Sequence, residues 1–204
     1  SLKPARFMED MTYDMAGPAV VVGLMKNLAL RKSKVNAVGV VGLVENMPSG
    51  TAIRRGDVLH MRNGKTIEVI NTDAEGRLIM ADALAFASES KPDIICDVAT
   101  LTGAAYVALG VEIGAVFSNN KVTLDSFLNS NNDGFENYHS LPLEQSYKSQ
   151  IKSNIADMKN SGGRFGGAIT AALLLEEFVD DLDWVHLDIA GPARSRSVSY
   201  THLT

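Results

Sequence analysis

The chain has 204 residues, 46% of them hydrophobic, with a formal net charge of −5 and one cysteine. That length suits one domain or part of one with a sizeable core, and the acidic balance without a basic cluster argues against nucleic acid or an anionic membrane as partner. The single thiol, Cys96, excludes an intrachain disulfide and fits a reducing, cytoplasmic compartment, and no stretch approaches the ~20 apolar residues that span a bilayer.

Ser1-Leu2-Lys3-Pro4 carries neither an initiator Met nor a signal-peptide pattern, so the chain is expected to begin inside a longer protein. Lys3 precedes a proline, which biases it away from helix, and a lysine there is ordinarily a solvated charge. Tyr13-Asp14-Met15 leads into Ala16 to Leu30, an apolar, glycine-punctuated helix with Asp14 placed to cap it. Lys32 and Lys34 follow as cations suited to a helix C-terminus. Val35 to Val44 is a continuous apolar run, expected to be a strand buried on both faces of a parallel sheet. Glu45 to Gly56 reads as a loop in which Arg54 and Arg55 are solvated or interface charges. His60 lies just before a hairpin turn at Asn63-Gly64.

Thr66 to Ile70 alternates as a strand, and Leu78 to Ser90 has helical spacing. Between them lies Asn71-Thr72-Asp73-Ala74-Glu75-Gly76-Arg77-Leu78. Such a strand-to-helix junction is where a parallel α/β sheet presents ligands. Asp73 and Glu75 are therefore either cap and first-turn residues or oxygen ligands for a divalent cation.

Lys91-Pro92 breaks the pattern before Asp93 to Ala99, a buried strand ending in Thr100-Leu101-Thr102-Gly103. Thr100 or Thr102 can cap the helix or turn expected over Ala104 to Leu109. Glu112 to Phe117 reads as a strand, Lys121 to Asn129 as a helix and Asn129 to Gly134 as a polar loop, with a further connection beginning at Leu141-Pro142-Leu143. Ser153 to Arg164 carries no clear periodicity. Ala168 to Phe178 is a strongly apolar helix, and Trp184 to Ile189 a last strand on which His186 and Asp188 alternate; His186 reads as a core histidine. Strands alternating with helices, without repeats, predict an α/β fold with a mixed, mostly parallel sheet flanked by helices.

The octapeptide Asn71 to Leu78 reads N-T-D-A-E-G-R-L, which resembles the signature of the leucyl aminopeptidase family, the M17 metallopeptidases. The resemblance runs along nearly the whole chain. Ser1 to Pro4 is similar to the family's S-(I/L)-K-P, Met11 to Gly17 to M-x-Y-D-M-x-G, Glu45 to Pro48 to E-N-M-P, and Arg55 to Val58 to R-(P/R)-G-D-V. Asp97 to Gly103 resembles D-V-A-T-L-T-G, Ala156 to Met158 lies in an A-D-M segment, Gly162 to Ala168 resembles G-G-R-x-G-G-A, and Trp184 to Gly191 resembles W-x-H-L-D-I-A-G. The family resemblance implies the zinc-exopeptidase-like catalytic domain over 1–192, with 193–204 as a tail unlike the family's close.

What the resemblance implies is an exopeptidase that removes apolar, leucine-like N-terminal residues from peptides. Asp73 and Glu75 would ligate one metal ion, Glu75 would also reach a second, and Asp14 would complete the second. Zinc or manganese would fill these sites, or magnesium or cobalt. None of the histidines has the spacing of a histidine-based zinc protease, which leaves these carboxylates. Three of them converging without cations would raise one another's pKa values, whereas a metal pair would neutralise them and activate a water. Lys3 would stabilise the developing oxyanion, and Arg77 would hold a bicarbonate. Met11, Thr100 and Gly103 would line the pocket for the first side chain, and the Leu101 carbonyl would accept the substrate's amine. A homo-hexamer is also implied. A further family motif with two more metal ligands lies upstream of the S-(I/L)-K-P element and is not in this chain, so impaired activity is expected. The competing expectation is a non-catalytic structural or interaction role. DNA binding, known for some members, is disfavoured by the charge.

Overall fold

A computed structural model describes residues 8–130 and 136–194. Two sheets organise it. The smaller pairs β1 (Val58–His60) with β2 (Thr66–Glu68) in antiparallel fashion, joined through a turn in which Gly64 takes φ +86. That left-handed value is one glycine reaches without steric cost. β6 (Met158–Lys159) adds parallel to β2, inside the segment whose sequence carries no period.

The larger sheet contains β3 (Ile94–Ala99), β4 (Ile113–Ser118), β5 (Asn137–Ser140) and β7 (Asp183–Asp188) in the order β3-β7-β4-β5. β3 runs parallel to β7 and β4 parallel to β5, while β4 and β7 are antiparallel. The mixed, mostly parallel α/β architecture is therefore the one expected. Register places Asp97 beside His186 and Ala99 beside Asp188.

One face of this sheet packs against α2 (Gly76–Ser88) and α5 (Gly167–Glu176). Its core holds Ile95, Phe117 and Trp184 against Leu84, Leu174 and Leu175. α5 is buried almost all round, which matches its nearly uniform apolar sequence. The opposite face buries Val116, Val185 and Leu187 beneath Leu124, Phe127 and Leu128 of α4 (Lys121–Ser130). That cover reaches β3 only at Val98; Ile94 and Cys96 stay exposed, so the first part of β3 is buried on one face alone.

α1 (Ala16–Leu30) has the expected bounds, and α3 (Gly103–Leu109) extends the expected helix by one residue. The run Val35 to Val44 differs from expectation: it forms no strand and is largely exposed. Apolar side chains favour an extended backbone, but a strand exists only where neighbouring N–H and C=O groups complete a ladder. Among the described residues nothing completes one here. The run lies instead along helices, with Gly39 against Met25 and Gly42 against Ile79. The loop expected over Asn129 to Gly134 falls mostly outside the described residues.

Candidate active site

The adjacent ends of β3 and β7 gather most of the residues singled out in the sequence. β3 runs into Thr100-Leu101-Thr102-Gly103, where the Thr102 hydroxyl accepts from the Ala105 N–H at 3.0 Å and caps α3. Asp188, at the end of β7, accepts from the Leu101 and Thr102 N–H groups at 3.1 and 3.3 Å, and from the Thr102 hydroxyl at 2.6 Å. A carboxylate buried to this degree is stable because its oxygens are satisfied.

Asp14 reaches the same loop from the other end of the chain. It is not the cap of α1: that position is Met15, with no side-chain cap bond. Its Oδ1 instead accepts from the Thr100 hydroxyl at 2.7 Å. Gly17 makes this approach feasible, since a Cβ there would lie 2.2 Å from the Val98 carbonyl oxygen. Met11 is half-buried in the preceding 3-10 helix, Met8–Tyr13. Lys3 lies outside the described residues.

The signature octapeptide forms the third side. Gly76 opens α2 against the Leu101 side chain, 3.6 Å from where its Cβ would stand. Glu75 is the N-cap residue of α2 but makes no side-chain cap bond, and the Asp73 N–H donates to Asn71 Oδ1 at 3.1 Å. The Glu75 carboxylate is thus not used as a helix cap. Arg77 is buried, and burial pushes its guanidinium down to about 10 although the Asp188 and Glu75 charges oppose this. Its Nε has no hydrogen-bond acceptor among the described residues.

Sequence reasoning missed the residue that holds this junction in place. Asn160 is fully buried, and its Oδ1 accepts from the N–H groups of Ile70 and Asn71 at 2.9 and 3.1 Å. Its Nδ2 donates to the carbonyls of Asn71 and Ala74 at 2.6 and 3.4 Å. The only local signal was a polar residue just after the A-D-M segment. Asp188 was read as an alternating strand residue without a role. His186 is the core histidine expected: its Nδ1 is 2.6 Å from Asp97 Oδ1, and Asp97 Oδ2 accepts from the Trp184 indole N–H at 2.6 Å.

Among the described residues no group of three or more His, Cys, Asp or Glu side chains could hold a metal ion. Asp14 accepts from Thr100, and Asp73 is exposed.

Residues 1–203 match the family described as "Cytosol aminopeptidase family, catalytic domain". Proteins named as probable cytosol aminopeptidases are similar to the chain: that of Afipia carboxidovorans is 55% identical over 194 residues, 95% of this chain and 39% of its own length. That of Caulobacter vibrioides is 54% identical over the same shares. A mutant of tomato leucine aminopeptidase, of solved structure, matches with a TM-score of 0.85 and 44% identity over 92% of this chain and 38% of that one. The chain spans about two fifths of the length of the curated relatives it matches (39%). It belongs to the cytosol aminopeptidase family, within the catalytic domain.

Proposed function

We propose that the chain supplies the substrate-holding and acidic part of a metal-dependent aminopeptidase that removes apolar residues such as leucine from peptide N-termini. The observation that supports this reading most is the meeting of Asp14, the Thr100 to Gly103 loop and Gly76 of the signature at one end of the sheet. In this reading the Leu101 carbonyl receives the substrate's amine, while Met11, Thr100 and Gly103 flank its first side chain. Lys3 would stabilise the charge that develops on the reacting carbonyl, and Arg77 would hold a bicarbonate. Asp14, Asp73 and Glu75 are contributed as ligands to zinc or manganese, or to magnesium or cobalt. Because the described residues do not assemble a full ligand set, the chain on its own binds metal weakly and turns over slowly. A cytoplasmic homo-hexamer is the assembly proposed for the whole protein; no described helix is long and apolar enough to cross a membrane.

Hydrolysis of leucine-p-nitroanilide with added manganese tests the reading, together with metal content by elemental analysis. Measurable manganese-dependent turnover that disappears in Asp73→Ala is expected. No metal and no turnover at any manganese concentration favours the second reading, a non-catalytic structural or interaction role, for which the incomplete ligand set is the supporting observation.

A further inference from the structure

Asp188 ends β7 level with Ala99 of β3 and is 1% exposed. A charge taken this far from water is costly unless hydrogen bonds replace the lost hydration. Here they come chiefly from the loop after β3. Oδ1 accepts from the N–H groups of Leu101, Thr102 and Ala190 at 3.1, 3.3 and 3.2 Å. Oδ2 accepts from the Thr102 hydroxyl at 2.6 Å, and that hydroxyl caps α3.

The N–H of Thr102 and the carbonyl of Leu101 belong to one planar peptide unit. No peptide bond in the described chain is cis, so within this unit the two groups point in opposite directions. Holding the N–H on Asp188 therefore turns the Leu101 oxygen away from the buried carboxylate. The second bond, to the N–H of Leu101 itself, fixes the preceding peptide plane and removes the remaining freedom to rotate.

We infer that Asp188 is the positioning residue that aims the Leu101 carbonyl at the free amine of the substrate. This rests on the function proposed above and deepens it, since selection for a free N-terminus then depends on a carboxylate that never touches the peptide.

The test compares the unaltered chain with Asp188→Asn, Asp188→Ala and Thr102→Val, all with manganese. It reads kcat and KM on leucine-p-nitroanilide, calorimetric binding of leucinamide against N-acetyl-leucinamide, and amide hydrogen exchange at Leu101 and Thr102. Losing charge-assisted bonds should raise KM roughly 10-fold or more in Asp188→Asn, with kcat changed by less than about 3-fold. The preference for leucinamide over its acetylated analogue should shrink in parallel, and both amides should exchange faster. Thr102→Val should shift KM in the same direction, which keeps the test decisive should Asp188→Ala fail to fold. A purely structural role lowers the active fraction, and so kcat, at constant KM; that result, or an unchanged KM, overturns the inference alone. An unaltered chain that neither hydrolyses the anilide nor binds leucinamide defeats the proposed function, and the inference with it.

Discussion

Asn160 makes four hydrogen bonds with one side chain, to groups 86 to 90 positions away, and these hold the turn that carries Asp73. Removing it strands the N–H and C=O groups it bonds, at about 1–3 kcal/mol for such a loss. Asn160→Ala should lower the urea midpoint accordingly and speed amide exchange over 70–74; Asn160→Asp should not rescue it, because the donated half is lost. His186 provides a second test at this scale. Burial, the largest influence, opposes charging the ring, but the Asp97 charge and hydrogen bond, with Asp188, prevail and raise its pKa above the ordinary 6.5. A raised folded value means that this stabilisation is full below the unfolded pKa and fades as pH climbs through the folded one. Urea melts should therefore show stability falling from pH 6 upward, with a flatter profile in Asp97→Asn.

Among elements, the contact of α1 with β3 decides whether Asp14 meets Thr100. The path has no slack at Gly17, where a Cβ would strike backbone (Val98 oxygen at 2.2 Å) and not a yielding side chain. Gly17→Ala should cost about 1–3 kcal/mol, as overpacking does, with faster exchange at the start of α1. Gly191 is constrained in the same way by the Gly110 carbonyl oxygen at 2.1 Å. Helices were legible because their apolar spacing is written within a few residues: α1 and α5 lie within a residue or two of the expected ends. Val35 to Val44 was misjudged for the complementary reason. Its composition reports extended backbone and apolar contact, but no strand among the described residues lies alongside to turn extension into a ladder.

For the whole molecule, the apolar surface is unevenly distributed. Val20, Val22, Leu24 and Leu30 of α1 are exposed, as are Val38, Leu43 and Val44 of the run that follows. A patch of that kind on a chain with a net charge of only −5 promotes association. Sedimentation velocity should show species that grow with concentration, and Val38→Glu with Leu43→Lys should reduce them while leaving the Tm nearly unchanged.

Family, fold class and most element bounds were carried by the sequence, because signature residues and hydrophobic periods are local patterns. The three-sided site was legible only in part: the family resemblance placed Asp14, the signature and the Thr100 to Gly103 loop in one site, but not the bonds that hold them there. The tertiary structure alone decided that Asp14 bonds Thr100, that Asn160 ties down the acidic turn, and that Asp188 clamps the loop. The reason is reach: each of these bonds joins residues more than eighty positions apart, a distance at which no propensity or spacing rule acts and only packed, register-fixed strands bring the groups together.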